Sequence, residues 1–93
     1  MSGIGSIIAS IIMLVVGIIA AIIGIHILLV VFEANTGNDI VKFFTDAAEF
    51  FADPFLKLFK LDNEKVQTAV NEGIAMLVYL VAGSLIARLL RRI

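Results

Sequence analysis

The chain has no cysteine, no tryptophan, one proline and one histidine among its 93 residues. Without cysteine there is no disulfide, no thiolate metal site and no cysteine nucleophile. Charge is scarce as well. Seven Lys and Arg stand against eight Asp and Glu, a net charge of −1, so the basic face that a nucleic-acid partner requires is missing. Residues 4–32 hold no Asp, Glu, Lys or Arg, and His26 is their single ionisable group. No Lys or Arg precedes Lys42, which removes the basic leader of a cleaved signal peptide. A Gly-rich phosphate loop, a catalytic triad, an HExxH pair and a carboxylate pair are also absent. The expectation is a non-enzyme with no cofactor and no resident metal.

What the chain has instead is apolar surface. Hydrophobic residues make up 61% of it and the mean hydropathy is +1.11, against about 45–50% apolar usage in soluble domains. A soluble chain of this length has too little interior to hide that excess, so lipid or a large partner must cover it. The run over residues 4–32 exceeds the ~20 residues that cross ~30 Å of hydrocarbon. It reads as a retained transmembrane helix that tilts or projects past the lipid. A second apolar run follows at about residues 73–90. Val66, Ala69, Val70 and Ile74 continue its helical period upstream, which predicts one helix over 63–92. Asp62 or Asn63 suits its N-cap, with Glu64 in the first turn and Arg88, Arg91 and Arg92 near the end.

Between the runs, residues 33–38 are a turn by composition. Thr36 with Asp39 three residues on resembles a capping box. Ile40, Val41, Phe43, Phe44, Phe50 and Phe51 then lie on one broad apolar face, while Lys42, Asp46, Glu49 and Asp53 lie opposite, with Lys42 and Asp46 in reach of one another. Asp53-Pro54 reads as an N-cap followed by proline at the first helical position, a break and a restart. Six of seven phenylalanines fall between residues 43 and 59, and Phe43, Phe44, Phe50, Phe51, Phe55 and Phe59 are the candidate membrane-interface residues. Either they enter the headgroup boundary from a helix lying in the membrane plane, or they cover the polar end of the hairpin or a neighbouring subunit. The width of the face favours the first.

The fold class expected is therefore an all-α membrane protein, one domain over 1–93. It comprises a transmembrane helix over 4–32, amphipathic interfacial helices over 36–61 broken at Asp53-Pro54, and a second spanning helix within 63–92. The C-terminal arginines place both termini in the cytoplasm of a bacterial inner membrane by the charge bias of loops.

Small residues recur one turn apart at Gly17 and Ala21, Ala20 and Gly24, and Gly83 and Ala87, and in lipid such pairs let helices approach closely. They predict helix–helix packing, within the hairpin or between chains. His26 lies seven positions before Glu33, on nearly the same helical face. An ionisable residue inside a span is a candidate for ligation of a haem or metal, proton carriage or helix–helix bonding. With no partner at ligand spacing, bonding to a neighbouring helix or water outweighs cofactor binding. Glu72 borders the second apolar run and is read as bonding at the interface.

The order span, Asn-containing turn, aromatic amphipathic helix, Asp-Pro-Phe-Leu, span resembles the YggT (YlmG) family of small bacterial and plastid membrane proteins. Asn38, Ile40, Val41 and Phe43, then Asp53, Pro54, Phe55 and Leu56 with Lys57, Leu58 and Phe59, carry the likeness. The Asn-to-Pro interval is about one turn longer than in that family, Asn38 lacks a following Pro, and no Ser-Pro precedes the second span. The resemblance implies a small envelope protein linked with cell division or the assembly of membrane complexes. The function expected is a non-catalytic scaffold, assembly factor or accessory subunit, with the lipid bilayer and a membrane protein or a second copy as partners. A self-assembling pore of the holin kind, or a small ion or proton channel using His26, is the alternative.

Overall fold

The computed structural model describes residues 3–35 and 37–92. Three helices and one tight turn follow in order: α1 (Gly3–Val31), α2 (Asp39–Ala52), a 3-10 turn (Asp53–Phe55) and α3 (Glu64–Arg92). Among the described residues there is no strand. α1 and α3 are long and apolar enough to cross a membrane.

Local chemistry sets each boundary. α1 ends where the Ala34 amide bonds the Leu29 carbonyl at 2.8 Å and the Glu33 amide bonds that of Val30 at 3.1 Å. These are the two closing bonds of a Schellman motif, whose left-handed position is usually glycine. Here Glu33 occupies it, with φ of 55°. α2 begins at Asn38, whose Oδ1 accepts from the amides of Ile40 at 2.8 Å and Val41 at 3.4 Å. Asn38 is thus the N-cap; Thr36, expected in a capping box, lies outside the described residues. Asn63 caps α3 in the same way, accepting from Lys65 and Val66. The ion pair expected between Lys42 and Asp46 is not formed: neither side chain joins an ion pair of the described residues.

Helix restart at Asp53-Pro54 is corrected by the structure. Pro54 does end α2, as its missing amide and fixed φ require. Beyond α2 the chain makes a single 3-10 turn whose N-cap is Ala52, with no side-chain capping bond from Asp53. Residues 56–63 are not helical. The reason is Asn71 of α3, which is buried. Its Nδ2 donates to the carbonyls of Leu56 at 2.8 Å and Phe59 at 2.9 Å, and its Oδ1 accepts from the Phe59 amide at 3.1 Å. Those backbone groups are held from the side, and the helical alternative loses them.

α1 and α3 form an antiparallel hairpin closed by small residues. Gly83 touches Val16 so closely that a Cβ there would stand 2.7 Å from Cγ2. Ala9, Ala20 and Ile23 of α1 and Ala75 and Ala87 of α3 are buried. α2 runs along this hairpin rather than across its end. Ala48 and Ala52 are fully buried in one cluster with Ile23 and Ala75. The chain then returns along α3: Tyr79 donates to the Phe51 carbonyl, Asn71 holds Leu56 and Phe59, and Gln67 accepts from the Leu61 amide. From Tyr79 back to Gln67 is about 18 Å of helix at 1.5 Å per residue. The wide apolar face of α2 is therefore divided, alanines inward and Ile40, Phe43 and Phe50 outward.

The two glycines singled out for packing should respond with opposite sign. Gly83→Ala drives a methyl into Val16, whose branched side chain has little rotamer freedom in a helix, and is expected to cost about 1–3 kcal/mol. Gly17 is exposed, and a Cβ added to it would meet nothing within 4 Å. Gly17→Ala is expected to be neutral or stabilising by up to about 1 kcal/mol through helix propensity. Thermal or denaturant unfolding in mild detergent, followed by circular dichroism, measures both.

Candidate functional site

α1 and α3 each bring one ionisable side chain to the same point between them. His26 Nδ1 and Glu72 Oε1 are 2.6 Å apart. Glu72 is 1% exposed and His26 4%. The residues are 46 positions apart in sequence, and the antiparallel register of the hairpin alone brings them level. So short a contact has a proton between its atoms, and with Nδ1–H donating to the carboxylate the bond is of the strong, charge-assisted kind. Sequence alone puts His26 on one face with Glu33, and Glu72 at the interface. The structure corrects both: Glu33 has left the helix through its left-handed turn, and Glu72 is a buried partner.

Above the pair a cleft opens between the three helices toward the turn end of the hairpin, with a volume of about 400 Å³. His26 and Glu72 form its foot, Val30, Val41 and Leu56 supply apolar wall, and Thr45 and Thr68 add hydroxyls. Below the foot the helices close on Ile23, Ala48 and Ala75, all fully buried. The cleft is blind at that end. Every buried side-chain nitrogen or oxygen among the described residues has a hydrogen-bond partner. His26 Nε2 and Glu72 Oε2 have no such bond, the Nδ1–Oε1 contact being the pair's only one. Both atoms must therefore keep accessible surface, and the cleft is the space they line.

At the mouth, Lys65 Nζ lies 2.9 Å from Glu33 Oε2. Glu33 is an unfavourable choice locally, since a left-handed backbone disfavours any side chain with a Cβ and a helix C-terminus disfavours an anion. Lys65, reaching across from the first turn of α3, offsets this by holding the carboxylate. Its hydrogen bond, and then its charge, keep the Glu33 carboxyl below its ordinary value of 4.5.

The small-residue pairs are sorted by the structure. Gly83 and Ala87 face α1 and are buried, and Ala20 and Gly24 face α3, with Met76 Cε 3.3 Å from a Cβ placed on Gly24. Gly17 and Ala21 face outward. Of the interface phenylalanines, Phe43, Phe50 and Phe59 are exposed, Phe50 at 77%. Phe44, Phe51 and Phe55 are half-buried, the last two with ring centroids 6.4 Å from that of Tyr79. Sequence reasoning misses Asn71, Gln67 and Tyr79. Only their polarity on an otherwise apolar face could mark them.

Removing one member of the foot pair strands the other. His26→Leu is expected to cost about 3–5 kcal/mol, whereas His26→Leu with Glu72→Leu is expected to be near neutral, since a buried pair exchanged for apolar side chains loses little. A double-mutant cycle on unfolding in detergent reads this. The mouth pair should titrate. Because Glu33 is held below its ordinary value, its contribution is present above pH 4.5 and lost as pH falls through the lower folded value. The Glu33 carboxyl carbon, followed by NMR, is expected to titrate below 4.5 in the native chain and to move up in Lys65→Met.

No family model, curated protein or solved structure matches this chain. The likeness to the YggT family therefore rests on the residues quoted for it.

Proposed function

We propose that the chain is an integral membrane protein serving as a non-catalytic scaffold, assembly factor or accessory subunit of a larger membrane complex. The observation that carries the reading is the uncovered apolar surface of the hairpin's far half. Ile4, Ile11, Leu14 and Ile18 of α1 and Leu77, Val81, Leu85 and Leu89 of α3 are all exposed. Contiguous apolar surface on that scale marks a membrane or protein contact rather than a surface meeting water.

A 29-residue helix is about 43 Å long and the hydrocarbon about 30 Å thick, so one end of each helix projects. The polar groups choose the end. Glu64, Lys65, Gln67, Thr68, Asn71 and Glu72 all lie in the first third of α3, and the segment over residues 39–61 packs against that end. On this reading the His26–Glu72 pair sits near the lipid boundary, and Phe50, Pro54 and Phe55 dip into it. The exposed ridge of Ile40, Phe43 and Phe50, with Gly17 and Ala21 deeper in α1, supplies contact surface for neighbouring helices. Arg88, Arg91 and Arg92 favour termini on the cytoplasmic side.

Native mass spectrometry of the full chain, extracted from its own membrane in mild detergent at natural expression, tests the reading. A defined heteromeric complex is expected. A homo-oligomer alone overturns the accessory role in favour of a self-assembling pore, and release from membranes by carbonate overturns membrane integration itself.

A further inference from the structure

The blind cleft differs from the rest of the surface in what its polar groups can do. With the proton of the foot pair on Nδ1 and donated to Oε1, the neutral His26 ring presents Nε2 as a bare acceptor. Glu72 Oε2 is a second acceptor beside it. The hydroxyl of Thr45 donates to the Val41 carbonyl at 2.9 Å, so only its lone pairs remain for the cleft. Glu49 and Glu64 add carboxylates along the sides. The one cation lining the space, Lys65, is engaged by Glu33 at the mouth. Two acceptor atoms of side chains more than nine-tenths buried thus face a space of about 400 Å³ that offers them no donor.

We propose that this cleft binds a primary ammonium group, its three N–H donors directed at His26 Nε2, Glu72 Oε2 and a wall oxygen. The chemistry selects this class. Carboxylates in excess of cations around an apolar-walled cleft focus a negative potential that draws in a cation. A volume of about 400 Å³ lies within the range of small-molecule sites. Among the described residues no group of three His, Cys, Asp or Glu is arranged to hold a metal ion, so the fit is to an organic cation. A quaternary ammonium carries no N–H and cannot satisfy the two acceptors. The apolar wall of Val30, Val41 and Leu56 takes the adjoining carbons. Two sources present this group, an aminophospholipid headgroup and a free aliphatic amine.

His26 is the chain's only histidine, so its ring nitrogens report on the cleft without ambiguity. The experiment titrates n-butylammonium, and separately tetramethylammonium, into the detergent-solubilised full chain carrying ¹⁵N-histidine. It needs no assumption about how the chain sits in a bilayer. A saturable shift of the His26 nitrogens is expected with n-butylammonium, at half-saturation at least about tenfold below tetramethylammonium, as the loss of charge-assisted hydrogen bonds requires. Glu72→Gln is expected to weaken it about tenfold or more. Thr68→Met, which fills the wall and leaves the foot pair untouched, is expected to abolish the response, and decides the matter if Glu72→Gln fails to fold. Nanodiscs separate the sources. A bound-state shift in phosphatidylethanolamine without added amine assigns the lipid headgroup, and a shift in phosphatidylcholine only on adding n-butylammonium assigns a free amine. No shift from either source, an equal response to tetramethylammonium, or a response unchanged by Thr68→Met overturns the proposal.

Discussion

A stretch of backbone without helical hydrogen bonds lies against two apolar helices, and its amides and carbonyls must be met from somewhere. In this chain they are met from α3. Gln67, Asn71 and Tyr79 hold Leu61, Phe59, Leu56 and Phe51 in turn, and buried backbone polar groups left unmet cost about 1–3 kcal/mol each. Without these side chains the segment after Pro54 would have no reason to return along the hairpin. Without that return, α2 would not be pressed onto Ile23 and Ala75, and the cleft would have no third wall. The polar side chains of an otherwise apolar helix are thus the scaffold on which the middle of the protein is assembled.

The hairpin imposes a second constraint. Small residues bring α1 and α3 close where Gly83 meets Val16, and that fixes their register. Register then decides which residues of α1 and α3 stand level, and so places His26 opposite Glu72. The foot pair is a consequence of contacts well away from it. Its own strength matters less for the fold than for chemistry: a buried ionisable pair is a weak source of net stability, but it leaves directed acceptor atoms in a place where few would otherwise survive.

Much of the helical layout is legible in the sequence, because it depends on local signals. The uninterrupted apolar run of α1, the Asn63 cap and the Pro54 stop each act within a few residues, and their helices begin or end within a residue or two of where those signals fall. The restart after Pro54 is misread from sequence because the local preference is helical while the deciding partner, Asn71, stands on another element. His26 is paired with the wrong acid for a similar reason. Periodicity within one helix offers Glu33, and nothing in a single sequence announces which residue of a distant helix will be level with it. The aromatic face of α2 is visible as a face, but not its division into a buried alanine edge and an exposed phenylalanine ridge, since that depends on where the hairpin stands.

The bond between Tyr79 and the Phe51 carbonyl has an optical consequence. The chain has one tyrosine and no tryptophan, so its tyrosine fluorescence comes from the single ring that ties α3 to the end of α2. That ring sits among Phe51 and Phe55 with its hydroxyl engaged at 2.7 Å, and an emission spectrum of the unlabelled protein is a direct record of whether the middle segment is docked.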